Sequence, residues 1–478
     1  MVDGTNRFTP TTSTPNSRQS GRTSPTRRFL ARWTNRKAMR VHQAVRAPAD
    51  INMSGWYGIL PPPKAYEVLR GRYEADWAIV GAGFAGLAAA RRLSQLVPND
   101  RIAMVDAQAV GWGAAGRNSG FMIDLPHELG GENYGGGQEH DRKRIRMNRA
   151  AIEFSASAAD EYGLQRFFVR AGKFHGAATD HGLAALREFE EHLAGLDEPF
   201  ERLDGTQLKK ITGTDFFVGG TFTPGTVMAQ PAGFVRGVAE GLSSRVQIFE
   251  KSAVTSIQTG KLHTVRTTEG EIIAPRIILT VNGHLESFGF FKKRLLHVFT
   301  YASMTKPLAK SEQAALGGEP HWGLIPADPM GSTIRRIGDR IVVRNTFTYN
   351  PDMSTSQKQI NQIGATHDRS FRTRFPMLGE VPMEFRWGGH LCLSLNSAPA
   401  FGEVEERVFV AGCCNGLGTV QGTLYGMLAA DLAAGSDEPM IADALNEPAP
   451  SRLYPEPLMS IGAPLKLWTM QRRAGKEL

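Results

Sequence analysis

At 478 residues and 41% hydrophobic, the chain is long enough for two domains with cores of their own, and no stretch is apolar enough to span a membrane. Its formal charge of +8 is concentrated, because residues 1–50 hold ten Lys and Arg against two acids and leave 45 of each sign elsewhere, which excludes a general basic surface for nucleic acid. Three cysteines without a CxxC, histidines without metal-ligand spacing, and no phosphate loop or serine elbow exclude a readable metal site, disulfide framework or hydrolase nucleophile.

Residues 1–50 are rich in Ser, Thr, Pro and Arg and poor in large apolar residues, so their ordering entropy is not offset and a disordered basic leader is expected. Thr26-Arg27-Arg28-Phe29-Leu30 resembles a twin-arginine signal, but Trp33, Arg36, Lys37 and Arg40 follow where an apolar stretch is required. A cytoplasmic location is therefore expected, with organellar import or a true start at Met39 or Met53 left open.

After a stiff lead-in through Pro61-Pro62-Pro63, residues 77–80 read as a short buried strand. Gly81-Ala82-Gly83-Phe84-Ala85-Gly86 turns that strand into a helix over residues 87–96. Gly81 permits the turn, Gly83 lets a pyrophosphate approach the backbone beside Phe84 and Ala85, and Gly86 lets the helix pack on the strand. Residues 101–105 read as the next parallel strand, ending at Asp106 and Ala107. A carboxylate there accepts ribose hydroxyls and disfavours a 2'-phosphate, so a dinucleotide site is predicted.

Residues 111–120 are too rich in glycine and alanine for a core element. Their run Ala115-Gly116-Arg117-Asn118-Ser119-Gly120 resembles the flavin-lining segment of the glycine oxidase and D-amino-acid oxidase superfamily, most closely its gamma-glutamylputrescine-oxidase-like branch. The resemblance covers roughly residues 70–440. It implies bound FAD, with contacts from Gly116, Arg117, Asn118 and Ser119, and an α/β fold: a discontinuous Rossmann-like FAD-binding domain and an α+β substrate domain on an antiparallel sheet. The FAD-binding domain is assigned to 51–129, 226–295 and 396–440, the substrate domain to 130–225 and 296–395.

Residues 130–137 read as a flexible connection, 139–162 as a charged helix, 167–179 as a strand-like stretch and 183–196 as an amphipathic helix. Pro231-Ala232-Gly233 opens a helix leading to a strand at 246–250, three short antiparallel strands, and an apolar strand at 276–281. The resemblance places the backbone near Val254 at the adenine and the Asn282-Gly283 turn under the dinucleotide. Alternating runs at 298–306, 332–337, 340–349 and 384–395 predict an antiparallel sheet. In the superfamily it roofs the flavin, which makes Tyr301, Arg344, Tyr349 and His390 the candidate catalytic residues. Residues 407–411 read as a buried strand, followed by Gly412-Cys413-Cys414-Asn415-Gly416-Leu417-Gly418-Thr419 and a helix to Ala434. The resemblance puts Gly412, Gly416, Leu417, Gly418 and Thr419 at the flavin pyrimidine ring, where helix N–H groups stabilise negative charge. Residues 441–478 read as a proline-rich tail.

The superfamily's amino-acid oxidases hold the substrate carboxylate with an arginine in a Gly-x-Arg-Pro run, and residues 387–392 contain none. The resemblance therefore implies oxidation of a primary or secondary amine by hydride transfer to FAD, with oxygen, a carrier protein or a quinone as acceptor. A glycine- or D-amino-acid-type enzyme, an NADPH-dependent flavin hydroxylase and a non-catalytic flavoprotein are the alternatives.

Overall fold

The computed structural model describes residues 39–126 and 137–478, so the leader up to residue 38 and nearly all of the 130–137 connection lie outside the described residues. Around Trp77–Val80 (β1) the chain builds a six-stranded sheet from Ile102–Val105 (β2), Val246–Phe249 (β3), Ile277–Leu279 (β4), Ala400–Glu405 (β5) and Val408–Gly412 (β6). The spatial order is β3-β2-β1-β4-β6-β5. All neighbours are parallel except β5, which returns antiparallel along β6.

The apolar runs of these strands are continuous because both faces are covered. Ile79 and Met104 enter a core with the helices Phe84–Leu96 (α1), Pro231–Leu242 (α2) and Val420–Ala434 (α3). Ala78, Val80, Ala103 and Val105 face the other way, onto Ile257, Val265 and Ile272 of a five-stranded sheet. Each fully buried Ile or Leu contributes about 1.5–3 kcal/mol. Gly426 of α3 lies against Ala85 of α1, where an added Cβ would run into the Ala85 carbonyl. That close approach brings the N-termini of two helices to one end of the sheet.

A second, eight-stranded sheet runs in the order Met383–Leu393, Leu296–Thr305, Arg340–Tyr349, Thr333–Ile337, His321–Pro326, Lys173–Ala177, Gly219–Thr223, Glu201–Asp204. It is antiparallel except where Leu324 to Pro326 run parallel to Phe174 to Gly176, a pairing that joins its two halves. The helix Gln357–Arg374, which the strand pattern does not announce, covers one face through Ile360, Ile363 and Phe371.

Two expectations are corrected. The leader does not extend to residue 50: Arg40–Gln43 pairs antiparallel with Ser256–Thr259 at the edge of the five-stranded sheet, and Glu405 accepts bonds from Arg40 and His42. A sheet edge supplies from outside the hydrogen bonds that this polar segment cannot make alone. Residues 441–478 are not a loose tail either, because Pro439–Leu445 and Leu458–Ala474 (α4) are helical and the Glu477 carboxylate accepts from the backbone N–H of Ala178.

Candidate active site

Two adjoining cavities open at the carboxyl ends of the parallel strands, where a doubly wound sheet places its ligand. The first is walled by Val80, Val105, Thr280 and Ala411, at or next to the carboxyl ends of β1, β2, β4 and β6. Gly81 turns the chain with φ +103°, and the Thr280 hydroxyl, donating to the carbonyls of Val80 and Gly81 at 2.8 and 2.9 Å, holds the turn in place. Gly83 meets only the Ala115 Cβ, at 3.4 Å from an added Cβ, so its front is open. As a glycine N-cap it offers α1 no capping side chain, which leaves the first-turn N–H groups for a ligand. Asp106 accepts from the N–H groups of Ala82 and Gln108 at 2.7 and 2.8 Å, and burial pushes its carboxyl above the usual range against those two bonds.

The second cavity lies between the loop at 117–121, the glycine-rich turn before α3 and the inner face of the eight-stranded sheet. Thr300, Thr333 and Arg344 line it from adjacent strands, Ala302 and Thr333 being the cross-strand partners of Arg344. Burial alone draws the Arg344 guanidinium down to about 10. Among the described residues no carboxylate or hydrogen-bond acceptor meets it; its one neighbour of note is the Phe347 ring, 4.5 Å from ring centre to Cζ.

His390 lines both cavities. Behind it, the Glu286 carboxylate lies 2.8 Å from His297 Nε2, and His297 Nδ1 lies 3.2 Å from His390 Nε2. A carboxylate only accepts, so His297 Nε2 carries a hydrogen; with His297 neutral, its Nδ1 accepts and His390 donates from Nε2. His390 Nδ1 is thereby left a bare acceptor with no protein partner among the described residues. Burial holds His390 well below its ordinary value, so it is neutral at physiological pH.

Residues 76–432 match the DAO family, described as FAD dependent oxidoreductase. The chain belongs to this family. Among curated relatives, the probable oxidoreductase OrdL of Haemophilus influenzae is 25% identical over 76% of this chain and 84% of its own length. The gamma-glutamylputrescine oxidoreductase of Escherichia coli is 23% identical over 78% of this chain and 87% of its own. Among solved structures, glycine oxidase from Geobacillus kaustophilus superposes with a TM-score of 0.65 at 18% identity, over 80% of this chain and all of that one. L-proline dehydrogenase from P. horikoshii superposes with a TM-score of 0.61 at 17% identity, over 77% and 96%.

This FAD-dependent oxidoreductase has residues that fit its cofactor. The open front of Gly83, the uncapped helix and the Asp106 carboxylate supply a pyrophosphate seat and a ribose acceptor in one cavity, while Gly418, with nothing within 4 Å of an added Cβ, leaves the end of that cavity open at α3. Gly81, Gly83, Phe84, Ala85, Asp106, Ala107, Val254 and Asn282 line the first cavity; Arg117, Ser119, Leu417 and Thr419 line the second; Asn118, Gly416 and Gly418 line both. Gly86 packs the helix on the strand as expected, an added Cβ there meeting Gly81 O, while Gly116, Gly283 and Gly412 line neither cavity and an added Cβ would meet Gly111 O, the His390 ring or Leu285.

Other expectations about side chains are corrected by their partners. The Arg117 guanidinium is engaged by the protein itself, donating to the carbonyls of Trp112, Ile51, Asn52 and Gly388, with Asp50 3.6 Å away. Tyr349 lines neither cavity. Tyr301 lines the second, but its hydroxyl is engaged by Thr348 and Thr355 at 2.8 and 3.2 Å. The missing arginine at 387–392 is no gap in charge, since Arg344 occupies the same cavity as Gly389, His390 and Leu391 from another strand. Sequence reading missed Thr280, His297 and Glu286. The antiparallel register that pairs Phe299 with His390 is what brings His297 to that face, and register has no local signal.

Proposed function

We propose that the enzyme oxidises a primary or secondary amine that carries an acidic group. Hydride leaves the amine-bearing carbon, and water hydrolyses the resulting imine to an aldehyde or ketone. The observation that carries this reading is Arg344, a guanidinium inside the second cavity with no anion of the protein's own. A half-buried cation without a counter-charge is partly stripped of water, and a carboxylate or sulfonate matches it with charge-assisted, paired hydrogen bonds. FAD, when bound, supplies the hydride acceptor.

The chain's own groups do the rest. Arg344 anchors the acidic end and so fixes the amine-bearing carbon relative to the first cavity. The amine reacts as its free base, because an ammonium has no lone pair to expel hydride, and His390 Nδ1, kept unprotonated by the bond of Nε2 to His297, accepts an N–H from it. The N-terminus of α3 favours negative charge at the cavity end lined by Gly416 and Gly418.

The test is Arg344→Met against Arg344→Lys. Losing a hydrogen bond to a charged group costs about 1.5–3 kcal/mol, so kcat/KM for an acidic amine should fall roughly 10- to 150-fold in Arg344→Met, with partial recovery in Arg344→Lys and unchanged FAD content. Unaltered kcat/KM in Arg344→Met would remove the anion site from the reading.

A further inference from the structure

We propose that α4 docks this protein on an anionic lipid surface. One side of the helix is committed to the body: Met459 and Ala474 are buried, and Leu467 and Met470 pack with Val298, Met330 and Phe347. The opposite side carries Leu458, Ile461, Leu465 and Trp468, which are 60%, 64%, 57% and 51% exposed. Their spacing of three, four and three residues makes one continuous stripe, about 15 Å long at about 1.5 Å per residue. Isolated exposed hydrophobics need no explanation, but a stripe at helical period marks an interaction face.

Charge selects the partner. From Leu458 to Gly475 there is no acidic residue, while Lys466, Arg472 and Arg473 stand beside the stripe without a carboxylate partner among the described residues. The Arg472 guanidinium lies 4.5 Å from the Trp468 ring centre, an aromatic body with a cation at its rim. An apolar stripe flanked by basic groups and ended by a tryptophan suits a helix lying at the headgroup boundary, its apolar side in the acyl region and its cations on phosphates. No helix among the described residues is long and apolar enough to cross a membrane, so the helix lies on the surface and does not span it. A second copy of the chain is the poorer fit. A strip one side chain wide falls short of the roughly 800 Å² per partner of a stable dimer, and a two-fold contact would oppose the same three cations.

The test is flotation of the FAD-loaded full chain with phosphatidylcholine vesicles, with and without phosphatidylglycerol. Binding is expected only with the anionic lipid and should weaken with salt. The pair Ile461→Glu and Leu465→Glu should lower the bound fraction at least about tenfold, and Arg472→Gln with Arg473→Gln should flatten the salt dependence, both at unchanged flavin content and melting temperature. Three results would overturn the proposal: no flotation, flotation unaffected by the two glutamates, or a dimer in light scattering that those glutamates dissolve.

Discussion

Arg117 and Arg344 both border the second cavity, and their partners separate their roles. Arg117 gives its donors to four carbonyls, one in its own loop and three in two distant segments, which makes it a clamp holding residues 50–52 to the edge of the eight-stranded sheet. Arg117→Met should therefore act on stability, leaving four carbonyls and the Asp50 carboxylate without their donor, at about 3–5 kcal/mol. Thermal unfolding and flavin content check this; a stable variant that retains FAD but loses turnover would move Arg117 into the reaction. His390 carries a pH prediction. Burial holds it well below 6.5, so it is already neutral above that pH and contributes no inflection there. The remaining ionisation is the substrate ammonium. The profile of kcat/KM should thus rise with pH through the amine's own pKa and level off, and an inflection tied to His390 between pH 7 and 8 would contradict its neutrality. Gly81, Gly83 and Asp106 were legible because their chemistry is local, a turn, a close approach and an acid at a fixed distance. Whether an arginine meets four carbonyls or an empty cavity depends on which strands become neighbours, and no local pattern encodes that.

The strand Arg40–Gln43 shows how a short polar segment is held by the element it joins. Burial raises Glu405, yet hydrogen bonds from His42, Thr259 and Arg40 outweigh it and hold its carboxyl down at about 2. Because the folded value lies below the ordinary 4.5, this stabilisation is present above pH 4.5 and is lost as pH falls toward 2. A chain beginning at Ile51 should melt a few degrees below one beginning at Met39, and the gap should narrow as pH is lowered from 4.5. Equal melting temperatures at neutral pH would show that the strand adds nothing. The parallel strands were readable since residues buried on both faces give unbroken apolar runs. Gln357–Arg374 was not, because a helix that covers only part of a sheet needs few apolar residues, and α4 was hidden by the prolines that precede it and by Pro464 within it.

Across the whole molecule, three separated stretches assemble one sheet, and the eight-stranded sheet meets its open end, so that the cavity bearing the phosphate-ready helix adjoins the cavity bearing Arg344. The family and cofactor were legible from the two glycine-rich segments together. The proposed anion site was legible only in part, since Arg344 was a candidate from the sequence but only the folded sheet brings it beside residues 387–392, which lack an arginine. The measurement that bears most directly on this account is anaerobic bleaching of the bound flavin by matched pairs of amines, each acidic amine beside its counterpart lacking the acid. The account predicts bleaching by an acidic amine at least about tenfold faster than by its counterpart, with NADPH inactive. Bleaching by NADPH, equal rates within every pair, or no bleaching by any amine would contradict it.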